Sequence, residues 1–296
     1  MSIAQRRYKL LTDFPKVHDF LTETYDPITL NSYLLPQYFE YAHVLPWFFN
    51  YSMSHRFGIW EDDGAIVGIA CYEMDLGDCC HLHVRKGYEE LLPELLNWAE
   101  KELSSYKDGN RQLKIWITDK EPHKRELLKA SGYVLDRINY IKTFDYSKDF
   151  PKRKLPDGFA LIDGTDINYN KLDICWWKGF DHEGDPDGSL DYRIHMCNAP
   201  NFRPELMTIA VAPDGEYACA LGMWFDEYNK YAYLEPMATI PKYRRMGLGT
   251  VALTEAMQKT KALGAEYCFG GGREFYSDIG FETKCNWELW RKDYND

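Results

Sequence analysis

The segment Tyr233-Leu234-Glu235-Pro236-Met237-Ala238-Thr239-Ile240-Pro241-Lys242-Tyr243-Arg244-Arg245-Met246-Gly247-Leu248-Gly249-Thr250 carries more structural information than any other part of this chain. A strand enters a turn that holds R-R-M-G-L-G. A helix leaves it, with Ala252, Leu253, Ala256, Met257, Thr260 and Leu263 on one face and Gly264 as its stop. The unpaired N–H groups and positive dipole end of such a helix point at whatever the turn encloses, which suits a pyrophosphate. Gly247 and Gly249 let the main chain approach an anion, because a Cβ at either position would stand between them. Pro236 cannot donate to a sheet ladder, so within a central strand it predicts a bulge that frees neighbouring amides.

Outward from this segment the order of elements occurs twice. In the second half a helical period over 168–180 precedes an acidic loop. Strands are expected over 206–211, 217–225 and 231–239, with Pro213-Asp214-Gly215 as the first hairpin turn. The helix that follows leads to a strand over 266–269. In the first half, strands over 56–60 and 65–73 flank Asp62-Asp63-Gly64 and a third covers 80–84. Then come a helix with Leu91, Leu92, Leu95, Leu96, Ala99 and Leu103 on one face, a strand over 113–117, and a short helix ending at Ser131-Gly132-Tyr133. The matching order predicts an internal duplication of about 140 residues. The charged, proline-bracketed stretch 147–157 is read as a linker, which gives domains at 1–146 and 158–296.

Composition narrows the function classes. With 296 residues, 45% of them hydrophobic, the chain is long enough for one large core or two compact ones. Its 46 acidic residues outweigh 35 Lys plus Arg, for a formal charge of -11, so its field repels nucleic acid and anionic membrane. No apolar stretch has the length of a signal peptide or a spanning helix, which points to the cytoplasm. The eight cysteines are scattered and read as reduced thiols.

Two nucleotide-binding readings are not met. A dinucleotide fingerprint would have its third glycine at position 252, where Ala252 stands, and an acidic residue on a following strand that is not evident, and a P-loop needs Gly-Lys-Ser or Gly-Lys-Thr. What fits is R-x-x-G-x-G at 244–249, with Pro241 before it and Phe275-Tyr276-Ser277-Asp278-Ile279-Gly280-Phe281 after it. This pairing resembles the GNAT superfamily of N-acetyltransferases over about residues 158–296. The resemblance implies an α+β chain of two tandem GNAT-like domains, each a mostly antiparallel sheet with flanking helices and a bulged central strand. It also implies acetyl-CoA as co-substrate, without a metal. Main-chain groups of Met237, Ala238 and Thr239 would hold the pantetheine arm. The turn of Arg244, Arg245, Met246, Gly247, Leu248, Gly249 and Thr250 would hold the pyrophosphate, and Tyr276 would be the general acid for the departing thiolate.

The chemistry sets its own demands. A primary amine of pKa about 10.4 costs roughly 4.6 kcal/mol to hold neutral at pH 7, so a base or a water chain is needed. Glu235 is the candidate, since residues 233, 235, 237 and 239 share one face of an extended strand; a structural glutamate is the alternative. The first half lacks both motifs. It has one glycine and two acids at Gly87-Tyr88-Glu89-Glu90, and Leu128 where the tyrosine would be, so it is expected to be a degenerate copy.

Weaker constellations have plain alternatives. Cys79-Cys80-His81-Leu82-His83 suits packing better than a metal, because alternation separates its side chains. The loop 181–188 would attract cationic amines or simply face solvent. Trp176, Trp177, Phe180, Trp224 and Phe225 form either a pocket or core, and Cys219 and Cys268 lack the histidine a nucleophile requires. The expected activity is acetyl transfer to a primary amine of a small molecule; the alternative is a non-catalytic CoA or acyl-CoA sensor. An aminoacyl-transferring relative would have to hold tRNA, against the acidic balance. The expected partners are the small-molecule amine and, if the chain self-associates, a second copy in a homodimer.

Overall fold

The computed structural model describes residues 3–45, 51–74, 76–107 and 109–294, with nothing said of the side chains of residues 51 and 52. The chain divides into two compact units, residues 1–140 with 285–296, and residues 141–284. In the first half lie β1 (Ala4–Arg7), α1 (Leu10–Glu23), α2 (Pro36–Val44), β2 (Gly58–Asp62), β3 (Ala65–Tyr72), β4 (Cys80–Val84), α3 (Leu92–Trp98), β5 (Ser105–Lys107), β6 (Asn110–Thr118), α4 (Pro122–Ala130) and β7 (Val134–Asp145). The second half holds β8 (Ala160–Ile162), α5 (Tyr169–Gly179), α6 (Leu190–Cys197), β9 (Thr208–Val211), β10 (Tyr217–Asp226), β11 (Tyr231–Thr239), α7 (Leu248–Ala262), β12 (Tyr267–Gly270), α8 (Glu274–Asp278) and β13 (Glu282–Tyr294).

The two units share one mixed α+β topology. In the first, the sheet order is β1-β2-β3-β4-β6-β13, antiparallel except for the parallel β4–β6 pair. In the second it is β8-β9-β10-β11-β12-β7, antiparallel except for parallel β11–β12. The sixth strand of each comes from the other half of the sequence: β13 pairs with β6 from Trp287 to Tyr294, and β7 pairs with β12 through Lys142–Asp145. The units therefore differ from the division at 146 and 158 read from sequence. Periodicity marks a strand but not the sheet it joins.

Residues 147–157 do not behave as a free linker. The Phe150 ring packs 5.7 Å from Phe144 and 5.2 Å from Tyr146, and the Pro151 carbonyl accepts from Thr254 Oγ1 at 3.2 Å. Other differences are local. Pro204 turns residues 204–206 into a 3-10 turn ahead of β9, and α3 continues as a π turn over Ala99–Leu103.

Each unit has its own core. In the second, Leu221, Met223, Ala252, Leu253, Ala256, Met257 and Cys268 are fully buried between sheet and α7, as the helical stripe predicts. Burial of each larger side chain contributes about 1.5–3 kcal/mol. In the first, Leu95, Leu96, Ile69, Ile115 and Trp60 do the same. Asp63 (φ +47) and Gly64 (φ +80) supply the two left-handed residues that a tight β2–β3 hairpin requires.

Candidate functional site

The site begins with the bulge in β11. Leu221 faces Met237 and Met223 faces Leu234, so Gly222 alone stands opposite both Glu235 and Pro236. A Cβ on Gly222 would come within 2.6 Å of the Glu235 carbonyl oxygen. Trp224 Nε1–H donates to that same carbonyl at 2.9 Å, which satisfies the acceptor the bulge turns out of the ladder. After the bulge, Glu235, Met237 and Thr239 are half-buried while Pro236, Ala238 and Ile240 are buried. The parallel register with β12 covers Tyr231–Tyr233 and Tyr267–Phe269; β12 then ends at Gly270 while β11 runs on to Thr239. The two strands part there, and the far half of β11 presents an edge to the opening.

At the end of β12 lies Tyr276, on α8. A Cβ on Gly271 would meet its ring at 2.7 Å and its hydroxyl at 3.3 Å, and one on Gly270 would meet the ring at 2.8 Å. The phenol thus lies flat over a two-glycine floor, braced by Phe275 at 5.2 Å and Phe281 at 5.4 Å. Burial, and after it the negative charge of Glu235, raise the Tyr276 pKa above its ordinary 10.0; the Gly271 main-chain hydrogen bond opposes them and is outweighed. Glu235 and Tyr276, proposed from sequence as base and acid, are therefore electrostatic neighbours. Gly270 and Gly271 were missed, although Phe269-Gly270-Gly271-Gly272 is a conspicuous small-residue run.

The turn into α7 is left-handed at Arg245 (φ +67) and Gly247 (φ +85). Gly247 is the helix N-cap and makes no side-chain cap, and no acid lies in the first turn, so the amides of Leu248, Gly249 and Thr250 open toward the turn. A Cβ on Gly249 would meet Met237 Cε at 2.8 Å, so Met237 and the helix start touch. Leu248 offers only its main chain, its side chain being buried in the core. Arg245 and Met246 are exposed. Arg244 is a clamp: its guanidinium donates to the carbonyls of Thr239 (3.0 Å) and Gly179 (2.8 Å) and to Asp181 (2.8 Å). Ala238 packs against Gly179, where a Cβ would lie 2.6 Å from its own.

The acidic loop folds back on α5. Trp177 Nε1–H donates to the Glu183 carbonyl at 3.1 Å, the Trp177 and His182 rings lie 4.5 Å apart, and Arg244 holds Asp181. Trp176 and Trp224 are core, and Phe180 is 42% exposed. Burial pushes the thiols of Cys219 and Cys268 up to about 11 and about 12, so neither serves as a nucleophile at neutral pH. A buried triad unseen in the sequence ties α5 to α6: Ser189 Oγ donates to Asp173 at 2.7 Å and Arg193 Nε at 3.1 Å. In the first unit His81 is buried, its pKa lowered to about 3 by desolvation, and among the described residues no three His, Cys, Asp or Glu gather as metal ligands.

The corresponding places in the first unit are filled. Gly87 (φ +93) repeats the left-handed glycine, but its N–H donates to both carboxylate oxygens of Glu89 at 3.0 Å. β4 and β6 pair in register at Cys80 and Ile115, and a turn over Leu30–Tyr33 packs against both strands. All four of its residues have φ between +52 and +67. Leu128, in the position of the tyrosine, is buried in the core.

Residues 171–281 match the acetyltransferase (GNAT) family. No curated protein sequence matches the chain. Among solved structures, the chain is similar to a GCN5-related N-acetyltransferase from Sphaerobacter thermophilus, at 15% identity and TM-score 0.59, covering 98% of this chain and 95% of that one. A tandem GNAT protein from the clavulanic acid biosynthesis pathway is similar at 12% identity and TM-score 0.61, covering 99% and 98%. Saccharomyces cerevisiae N-myristoyltransferase with bound myristoyl-CoA is similar at 12% and 0.55, covering 100% and 80%. Among the described residues no helix is long and apolar enough to cross a membrane.

Proposed function

We propose, from the premise that residues 171–281 are a GNAT-family domain within a tandem GNAT fold, that this chain transfers an acetyl group from acetyl-CoA directly to a primary amine of a small molecule. The observation that carries the reading is the left-handed glycine turn into α7 next to the parted strands, with the Tyr276 phenol seated on Gly270 and Gly271.

The residues present fit the cofactor. A Cβ on Gly249 would collide with Met237 Cε, and one on Gly247 with the Arg153 side chain, so both glycines keep the main chain of the turn closely approached. Leu248, Gly249 and Thr250 would take a diphosphate on their main-chain N–H groups, and the β11 edge from Met237 to Thr239 would hold the pantetheine arm as an added strand. Acetyl-CoA, when bound, supplies an activated thioester and a thiol leaving group. Glu235, directly or through water, would accept the ammonium proton of the acceptor, and Tyr276 would donate its phenolic proton to the thiolate that leaves.

The raised phenol pKa makes Tyr276 a weak acid while Glu235 is ionised. Burial is the larger cause of that shift and persists, but once Glu235 has accepted a proton the smaller contribution of its charge is gone, and Tyr276 becomes more acidic at the stage when the thiolate needs protonating. Base and acid are thereby coupled. The raised thiol pKa values of Cys219 and Cys268 favour direct transfer over a covalent acyl-cysteine.

The test is thiol release from acetyl-CoA across a panel of small amines, with a thermal-shift measurement on CoA alone. Turnover with at least one primary amine is expected. A CoA-dependent shift without turnover would favour the sensor instead, and no shift would remove the cofactor site.

A further inference from the structure

The segment between the two halves carries a cation with an unusual neighbour. Phe150 lies under Lys261 Nζ at 5.0 Å, near the end of α7; the Pro151 carbonyl accepts from Thr254 Oγ1, mid-helix; and Arg153 lies over Gly247, at the start. The segment therefore runs back along α7 and delivers Arg153 to its first turn. A Cβ on Gly247 would come within 2.7 Å of Arg153 Nε and 3.0 Å of its Cγ. A guanidinium at the positive end of a 15-residue helix is unfavourable by itself, since cations are stabilised at the opposite end.

Nothing among the described residues offsets it. Of the nearby cations, Lys154 pairs with Asp157, Lys242 with Glu216 and Arg244 with Asp181, while Arg245 and Lys152 are exposed to solvent without an ion pair among the described residues. Arg153 makes no hydrogen bond or ion pair there, in a chain with 46 acidic residues available. An anion placed between the α7 amides and this guanidinium would satisfy both.

We propose that Arg153 is a phosphate-binding residue of the acyl-donor site, its guanidinium donating to the diphosphate taken by the amides of Leu248–Thr250. This rests on the α7 turn being the diphosphate site. It makes the inter-half segment part of the binding surface and selects nucleotide-bearing thioesters over phosphate-free ones. Loss of one charge-assisted hydrogen bond corresponds to about a tenfold to hundredfold change in affinity.

The experiment compares R153A, R153K and K154A with the wild type, measuring Kd for CoA and dephospho-CoA by calorimetry and KM for acetyl-pantetheine. R153A is expected to weaken CoA and dephospho-CoA alike, about tenfold or more. R153K should recover part of the loss, K154A should stay within about twofold, and no variant should change KM for acetyl-pantetheine. R153A binding CoA as the wild type does would overturn the proposal, as would an equal loss toward acetyl-pantetheine, which would mark a merely structural role. A loss confined to CoA would move the contact to the 3′-phosphate and overturn the diphosphate assignment. Wild-type chain that binds no CoA would overturn the reading of the turn itself, a separate failure.

Discussion

The two units share a strand order, a parallel pair in the same place and a left-handed glycine at the same turn, yet among the described residues they differ in what meets that turn. In the first, the chain's own groups fill each feature. Glu89 puts its carboxylate on the Gly87 amide, where the second unit offers the bare amides of α7. Between β4 and β6 lies the Leu30–Tyr33 turn, fixed by Ser32 Oγ on Glu121 (2.8 Å), Lys124 on Ser32 (2.8 Å), Thr118 Oγ1 on the Thr29 carbonyl (3.0 Å) and Trp287 Nε1 on the Ser32 carbonyl (3.0 Å). Left-handed backbone costs about 1–2 kcal/mol for each ordinary residue, so these bonds hold a conformation the chain would not adopt alone. The lesson is that one strand order accommodates two different helix starts, one closed on its own carboxylate and one without an acid in its first turn.

If the second unit alone does chemistry, the largest effect belongs to its phenol. Tyr276→Phe should still bind CoA while turnover falls about 10²- to 10⁴-fold in a thiol-release assay. Undiminished turnover at neutral pH would remove the acid role and, with it, the contrast to Leu128. The glycine floor comes next. Gly271→Ala would set a Cβ 2.7 Å from the Tyr276 ring, and a shift of order 1 Å in a reacting group costs up to about 10²-fold, so kcat should fall with the CoA Kd unchanged. Because the phenol pKa is raised above 10.0, deprotonation of Tyr276 lies beyond that value. The rate should therefore show no alkaline decline from this group between pH 7 and about 10, and a decline abolished by Tyr276→Phe would contradict the assignment.

Calorimetry sharpens the comparison from the other side, with one CoA expected per chain. Ser32→Ala, which removes a hydroxyl shared by Glu121 and Lys124, should lower the unfolding free energy from denaturant titration by about 1–2 kcal/mol without creating a second binding event. A stoichiometry of two would mean that the first unit's gap is not closed.

Much of this was legible in the sequence, for reasons that differ by element. The bulge was legible because Pro236 lacks an N–H, and the α7 face because Ala252, Leu253, Ala256 and Met257 keep a helical period. The destinations of β7 and β13 were not, because their alternation is satisfied by any sheet that buries one face. The Leu30–Tyr33 turn gave no signal, since Leu, Ser and Tyr do not favour φ > 0 and only tertiary bonds hold them there. The left-handed turn into α7 was legible through glycine spacing. The Arg244 clamp and the position of Arg153 depend on partners 63 residues away and on a segment read as linker, which no local pattern encodes.

The smallest expected effect tests the same contrast at the first unit's helix start. The Gly87 main chain, hydrogen-bonded to the Glu89 carboxylate, holds its pKa below the ordinary glutamate value. A carboxylate with a lowered folded pKa contributes stability above its unfolded value of about 4.3, and that contribution is lost as pH falls through the folded pKa. Glu89 is exposed, so the term is screened and worth about 0.5 kcal/mol, the scale of an anion at an exposed helix start. Glu89→Gln should therefore lower the unfolding free energy by about that amount at pH 7, and the gap to wild type should vanish below the folded pKa. If the gap persisted at acid pH, shape rather than charge would hold the turn, and the carboxylate would not be standing in for an anion at all.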